Sequence, residues 1–541
     1  MRSVRAEDVP PASRAGGSLA QVPFVASIFL SAFLLFLVQP LVTQFLMPRF
    51  GGSPAVWNTA LVFFQMVLLL GYLYAHGLAR LRSRVAAAGI HALVLAFPFF
   101  FLPPTIPRLA EGVSPVDPSL WLLGVLGLMV GLPFFALSTN SSLIQHWWAG
   151  TGRPGAEDPY WLYGASNFGS LLALLAYPLL VAPLMDLGSQ AWMWSLGYGA
   201  FFVVTLVPLV RGAGGGAGTN RQESVQHDNP GPPRPSTPRV LSWIARAALG
   251  SSLLLSVTMR ITMDVGSVPL FWVLPLAIYL ATFILAFSAT DRIRRPTIEA
   301  GVVVGLFLSL GLLLFPAGLS FELIVLVGVG TLFFGGLLCH HDLAQDRPEA
   351  EHLTLFYLWL SVGGALGGIL NSLVAPLVFD SIAEYPLTLI ALALLLHAPP
   401  GARRGLIGFR PSRRLGWVAA AALAIPVTAQ MGGSFPVWGW GITVAAVGVW
   451  GLVLSRYVGS VVGTGVIVAI LASSLGFGTT IDEARSFFGV VRVTAEGDVY
   501  TMRHGTTVHG MQNRTPELRQ VPLTYYHPSG PMGSAVDRLG E

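Results

Sequence analysis

The chain has 541 residues, of which 53% are hydrophobic and 11% are charged, and its mean hydropathy is +0.67. A water-soluble domain cannot bury so much apolar surface. A membrane β-barrel is also excluded, because barrel strands show short alternating patterns instead of long continuous apolar runs. The sequence therefore predicts a helical protein that crosses the membrane many times. Its single cysteine, Cys339, cannot form an internal disulfide.

Residues 1–21 form a polar N-terminal segment. The apolar run that follows is too long for the core of a signal peptide, so we expect it to remain as the first membrane span. A first six-helix repeat is predicted over residues 22–211. Its spans lie at about 23–47, 55–78, 85–103, 119–139, 162–184 and 190–210.

Residues 212–239 are rich in glycine and proline and almost free of apolar residues, which predicts a flexible cytosolic linker. A second six-helix repeat is predicted over residues 240–398, with spans at about 241–263, 268–288, 298–316, 321–339, 354–379 and 384–398. Two or three additional transmembrane helices are expected in residues 399–475. Residues 476–541 change composition and contain β-prone segments at 487–493, 499–503 and 506–510.

The positive charge of the chain is distributed unequally between its loops. The formal net charge of +5 arises from arginine, since the sequence contains no lysine. If the N-terminus is cytosolic, most loop arginines face inward, and the outward loops hold only Arg49, Arg108 and Arg260. This asymmetry follows the positive-inside rule and predicts a bacterial inner (plasma) membrane protein with a cytoplasmic N-terminus. No nucleic-acid partner is indicated.

The two six-span blocks repeat each other. Residues 52–57 (GSPAVW) and 266–272 (GSVPLFW) each open the second span of a block. A second match lies further along each block. Tyr163 is followed by Gly169-Ser170 and by Val-Ala-Pro at 181–183, and Tyr357 is followed by Gly363-Gly364 and by Val-Ala-Pro at 374–376. Parallel six-span repeats with a binding site between them are typical of major-facilitator transporters. The predicted fold is therefore an all-α, major-facilitator-like 6+6 helical pseudo-repeat, with two or three extra spans and a small β-rich C-terminal tail.

Polar side chains at membrane depth are candidates for a cavity or gate, with a simple hydrogen bond between helices as the alternative. Gln39 precedes Pro40, so it either satisfies a carbonyl that the proline frees or contacts a ligand. Arg260 and Asp264 are four residues apart, so they lie on one helix face. They form either a structural ion pair or a gate or substrate anchor. The full candidate set is Gln39, Asn58, Gln65, Asn140, Asn167, Arg260 and Asp264.

Two further patterns have structural interpretations. Cys339-His340-His341-Asp342 ends a predicted span, but adjacent histidines on a helix point about 100° apart. A capped helix end is therefore favoured over a metal site, and no metal or cofactor is predicted. Small residues on two spans predict close helix packing: Gly164, Ser166, Gly169 and Ser170, and Gly363, Gly364, Gly367 and Gly368.

Several strings resemble the bacterial family in which a major-facilitator-like membrane domain is fused to a spermidine synthase. In the membrane part they lie at residues 30–58, 72–76, 268–276 and 353–364, and in the tail at 485–490, 503–510 and 522–528. The resemblance implies that residues 476–541 are an incomplete synthase-like N-terminal β region. It also implies that Gln512, Tyr525 and Tyr526 lie on the polyamine side of that region.

The sequence departs from that family after the tail strands. The family continues into a Rossmann-like domain with a glycine-rich donor site and a catalytic aspartate, which we do not find before Glu541. No catalytic residue is therefore predicted, and aminopropyl transfer by this chain alone is not expected. The sequence leaves three functions open: a transporter-like or anchor domain associated with polyamine metabolism, a secondary transporter of a polyamine or another small solute, and the membrane half of an aminopropyltransferase completed by a separate methyltransferase-like chain.

Overall fold

The computed structural model describes residues 12–50, 54–107, 118–151, 156, 159, 161–214, 235–265, 272–288, 293–314, 320–396, 479–487, 489–505 and 507–540. The additional spans predicted in residues 399–475, and most of the predicted linker, lie outside these residues.

Among the described residues, six helices form the first half of the membrane domain. They are α1 (Ala12–Phe50), α2 (Pro54–Leu78), α3 (Arg84–Phe101), α4 (Pro118–Ala149), α5 (Trp161–Leu184) and α6 (Leu187–Gly214). The last turn of α3 is a 3₁₀ turn, and α4 and α5 each contain one π turn. α4 continues past the predicted end at residue 139, because the polar residues of its last turns are buried within the protein.

The part of the second half that the structure describes also contains six helices. They are α7 (Thr237–Val265), α8 (Val273–Ser288), α9 (Arg295–Leu314), α10 (Phe321–Gln345), α11 (Leu353–Val378) and α12 (Glu384–Leu395). Within the described residues, ten helices are long and apolar enough to cross a membrane, and α8 and α12 are shorter apolar helices. The predicted helical, multi-pass fold is confirmed.

The structure shows the repeat that the sequence predicts. α5 contains a π turn at Tyr177–Val181, and α11 contains one at Leu370–Val374. Each π turn is followed directly by an Ala-Pro pair. Proline removes a backbone hydrogen bond and crowds the preceding turn, and a π turn is one way in which a helix accommodates that defect. The matched sequences therefore produce the same local distortion in equivalent helices.

Alternating helices give the domain two ends. We call the end where α6 stops and α7 begins the linker end, and the opposite end the far end. Odd-numbered helices of each half run from the linker end to the far end, and even-numbered helices return. Between the halves, α2 packs on α11 and α5 packs on α8.

Glycine allows the closest helix contacts within each half. The Gly169 backbone of α5 lies against the Phe29 carbonyl of α1. In the second half, Gly363 and Gly367 of α11 lie against the Ile244 and Ala248 carbonyls of α7. Any Cβ at these positions would overlap the neighbouring helix, so the predicted small-residue packing occurs at equivalent helix pairs.

The tail forms a four-stranded antiparallel meander in the order β1-β2-β3-β4. The strands are β1 (Thr479–Ser486), β2 (Gly489–Glu496), β3 (Val499–His504) and β4 (Thr507–Asn513), and a final helix, α13, covers Pro531–Gly540. The predicted β segment at 487–493 overlaps β2 but begins two residues before it, in the turn after β1. β1 itself was not predicted, because its apolar content is low.

Substituting Gly367 by alanine should destabilise the membrane domain. The new methyl group would overlap the Ala248 carbonyl, so α7 and α11 would have to separate, at a cost of about 1–3 kcal/mol. Gly364→Ala is the matched control, because a Cβ there meets nothing within 4 Å. We expect thermal unfolding in detergent to show a lowered midpoint for Gly367→Ala only. Equal midpoints for the two variants would contradict this packing.

Candidate functional site

A cavity of about 210 Å³ lies between the two halves. Helices α1, α2, α4 and α5 of the first half and α7, α8 and α11 of the second half all contribute to its wall. The cavity is therefore a property of the assembled pair of repeats, and neither half could form it alone.

The wall combines aromatic and aliphatic side chains with neutral hydrogen-bonding groups. Among the described residues that line the cavity, none carries a charge. The amides come from Gln39, Gln65 and Asn167, and the aromatic hydroxyls from Tyr72, Tyr163, Tyr279 and Tyr357. Six serines complete the polar lining: Ser31, Ser138, Ser141, Ser166, Ser170 and Ser361.

Gln65 links the halves while leaving one of its polar atoms unused. Its Nε2 donates a hydrogen bond to Ser251 Oγ at 2.9 Å, from α2 to α7. Its Oε1 is buried and has no hydrogen-bond partner among the described residues. A Cβ at Gly368 would overlap this oxygen, so the glycine on α11 makes room for the amide. A buried unpaired carbonyl oxygen is costly and is available to accept a hydrogen bond from a ligand.

Gln39 and Asn167 occupy the cavity wall in the first half. Gln39 Nε2 donates to the Leu35 carbonyl at 3.3 Å, so its side chain both bonds its own helix and lines the cavity. Asn167 is buried on α5, and its Nδ2 has no partner among the described residues. Gln65 and Asn167 thus each combine a side chain in the cavity wall with one buried, unpaired polar atom.

Asn58, Asn140 and Arg260 are not among the described residues that line the cavity. Asn140 Nδ2 donates to the Ser27 carbonyl and to the Ser27 and Ser31 hydroxyls at 3.1–3.2 Å, which ties α4 to α1. Asn58 is buried near the start of α2. Arg260 is partly exposed near the far end of α7. Asp264 lies in the last turn of α7, and its side chain is outside the described part of the chain.

The three tail candidates lie on the surface of the β unit. Gln512 Nε2 donates to the Arg519 carbonyl at 3.4 Å, and the Tyr525 hydroxyl donates to the His509 carbonyl at 2.8 Å. The Tyr525 hydroxyl also contacts the Tyr526 hydroxyl, which raises the pKa of Tyr525. The structure brings these two tyrosines together and places them apart from the membrane cavity.

Aromatic side chains from both halves meet at each end of the cavity. At the far end, the rings of Trp57 and Trp272 are in direct contact. At the linker end, Tyr163 stacks on Tyr357 with ring centroids 5.3 Å apart, and Tyr72 and Phe287 pack beside them. Each contact combines equivalent positions of the two repeats. In particular, Trp57 and Trp272 come from the matched sequences that open α2 and α8.

A charged network at the linker end was not predicted from the sequence. Asp342 of α10 is fully buried and accepts hydrogen bonds from Arg295 at 3.0 and 3.2 Å and from Arg246 at 3.5 Å. Arg295 also pairs with Glu299. Asp342 belongs to the motif that we had considered for a metal, and its arginine partners instead tie α10 to α7 and α9. The only sequence signal for this network was a charge within an apolar span.

The architecture is that of a two-half helical membrane protein with a cavity at the interface, and solved structures of this kind are similar to the chain. The human organic anion transporter MFSD10 is 14% identical over 78% of this chain and 100% of its own, with a TM-score of 0.40. The inward-open xylose transporter XylE from E. coli is 13% identical over 72% and 98%, with a TM-score of 0.46. A bacterial homologue of the human lysosomal transporter Spinster is 13% identical over 84% and 97%, with a TM-score of 0.38.

These neighbours are major-facilitator transporters, and their low similarity gives no information on what this chain binds. No family model and no curated protein matches the sequence. The comparisons therefore give no support to the spermidine synthase part of the predicted resemblance.

Cysteines at Trp57 and Trp272 should be joined across the far end by a short bismaleimide, because the two rings meet there and the reagent spans the room that they leave. Both variants carry Cys339→Ala, which removes the native cysteine, and a protease site in the linker. After cleavage, a cross-link between the halves keeps them together as one band on a denaturing gel. We expect efficient cross-linking of Trp57→Cys with Trp272→Cys. The pair Trp57→Cys and Leu274→Cys is the control, because Leu274 is exposed. Cross-linking that is no better than in this control would show that the far ends do not meet.

Proposed function

We propose that the chain is a membrane transporter for a small uncharged solute. The observation that carries this proposal is the cavity between the two halves, with aromatic contacts from both halves at each of its ends. Separation of Trp57 from Trp272 would open the cavity at the far end. Separation of Tyr163 from Tyr357 would open it at the linker end. Rocking of two repeats around a central site is the mechanism that such an arrangement supports.

The lining favours an uncharged solute with both polar groups and an apolar face. The lining amides of Gln39, Gln65 and Asn167 and the tyrosine hydroxyls can exchange hydrogen bonds with such a solute, while tyrosine and phenylalanine rings offer flat surfaces for packing. The cavity volume is below the roughly 300–1,000 Å³ of pockets that hold drug-sized ligands. A compact molecule of about one ring fits these properties.

The polyamine link predicted by the family resemblance receives less support from this site. A polyamine is a flexible polycation, and moving it into a cavity at membrane depth requires compensating negative charge. Among the described lining residues there is no carboxylate. Coupling to protons through the cavity wall would also need a group there that can be protonated. Without a carboxylate in the described lining, transport down the solute gradient is favoured over proton-coupled transport. A polyamine carrier or a synthase partner therefore stays a prediction from the resemblance alone.

A ligand screen tests the proposed solute class. Purified protein is heated with pentoses, hexoses, polyols, nucleosides and spermidine, and the unfolding midpoint is recorded. We expect an uncharged compound to raise the midpoint through preferential binding to the folded state, and spermidine to leave it unchanged. Compounds that bind are then tested for counterflow in proteoliposomes. A response to spermidine alone would overturn the proposed class and favour the polyamine prediction.

Asn167→Leu and Gln65→Leu should each weaken binding of the ligand found in that screen. Each variant removes one hydrogen-bonding group from the cavity wall, and a hydrogen bond contributes about 0.5–1.5 kcal/mol, which is roughly a two- to thirteenfold loss of affinity. Phe168→Leu is the matched control, because Phe168 follows Asn167 on α5 and points away from the protein core with 58% exposure. Isothermal titration gives the affinities, and unchanged values for both amide variants would remove these residues from the site.

A further inference from the structure

The β-sheet is fastened to the far end of the second half by a buried ion pair. Arg485 of β1 contacts Glu384 at the start of α12 through two hydrogen bonds of 2.7 and 3.0 Å, and it also donates to the Ser381 carbonyl at 2.6 Å. Both side chains are almost fully buried, with 3% and 7% exposure. A bidentate pair of this kind fixes orientation, and loss of either partner leaves a buried uncompensated charge.

Apolar and backbone contacts extend this attachment. Val490 of β2 packs with Met259 and Met263 near the far end of α7. A Cβ at Gly505 would overlap the Met263 carbonyl, whereas a Cβ at Gly489 would overlap the His504 ring and lie 3.1 Å from Met263 Sδ. Both glycines have positive φ, at 136° and 59°, which other residues rarely adopt. The edge of the sheet is thus shaped to fit the end of α7.

The same turn of the sheet also reaches the first half. Phe487 follows β1, two residues after Arg485, and it packs against the hydrophobic core of the first half. Neighbouring residues of one turn therefore hold different repeats: Arg485 holds the second half and Phe487 holds the first. Trp57 and Trp272 join the two halves at this same end.

We propose that the β-sheet is a clamp that holds the far ends of the two halves together and so opposes opening of the cavity on that side. Opening there moves the halves apart, and the β1–β2 turn cannot keep both contacts when they separate. One of the two contacts must break before the cavity opens to the far side. The sheet would then set how often the cavity is accessible from that compartment.

The position of the clamp also indicates which side of the membrane the sheet faces. α12 begins at the far end, where Glu384 contacts Arg485 of β1. The contacts of the sheet with α7 and α12 place it at the far end, opposite the linker end. With the linker in the cytosol, as the arginine distribution predicts, the clamp faces the outside.

Spin labels at the far end test the clamp without any substrate, so failure of the clamp and failure of the proposed transport function are distinguishable. The labels are attached in a Cys339→Ala background to Leu184→Cys and Leu377→Cys, which are exposed residues at the far ends of α5 and α11. Double electron–electron resonance then gives the distribution of distances between the halves in proteoliposomes.

We expect Phe487→Ala and Arg485→Ala each to increase the population of long distances at least threefold. Arg492→Ala is the matched control, because Arg492 pairs with Glu483 inside the sheet and should leave the distribution unchanged. Exchange of the pair, Arg485→Glu with Glu384→Arg, should restore short distances if attachment is what matters. Unchanged distances in both alanine variants, or an equal shift in Arg492→Ala, would overturn the clamp. Circular dichroism of each variant identifies any that have merely unfolded.

Discussion

This structure depends on one constraint: where water is absent, every buried polar group needs a hydrogen-bond partner. Most of the polar groups in the membrane domain meet it within the protein. Asn140 bonds α1, Asp342 is held by two arginines, and Glu384 is held by Arg485. Against that background, the unpaired Gln65 Oε1 and Asn167 Nδ2 stand out because both belong to residues that line one cavity. Their position gives the cavity a polar centre that a solute can satisfy.

The repeat explains why the cavity and its two ends are built in pairs. Equivalent glycines bring α5 onto α1 and α11 onto α7, and equivalent π turns follow in α5 and α11. Matching positions then meet across the interface, as Trp57 meets Trp272 and Tyr163 meets Tyr357. The polar groups do not follow this symmetry. The cavity amides belong to the first half, whereas the buried arginine–aspartate network belongs to the second.

Helix positions, the repeat and the small-residue contacts could all be predicted from the sequence, because length, hydropathy and matched strings are local signals. The roles of individual polar residues could not. Asn140 and Asn167 look alike in sequence, and only their neighbours across the fold make one a helix tie and the other a cavity residue.

Contacts between distant segments were equally hidden. Arg485 and Glu384 are 101 residues apart, so neither sequence neighbourhood indicates that they pair. β1 escaped prediction for a related reason. Its charged residues, which weaken a strand pattern, are used for ion pairs with Glu384 and Arg492. Such partners become visible only when the tertiary structure is known.

The Phe487 contact and the Arg485 contact of the sheet differ in the free energy needed to break them. This difference determines which contact breaks first when the cavity opens. Release of Phe487 exposes an apolar ring, at about 25 cal/mol per Å² of newly exposed surface. Release of Arg485 would separate a buried pair and strand Glu384 without a counter-charge, which costs about 3–5 kcal/mol when one partner is lost. The contact with the first half is therefore the weaker one. When the far ends part, the sheet remains with the second half and leaves the first, so that it moves as a lid attached to α7 and α12.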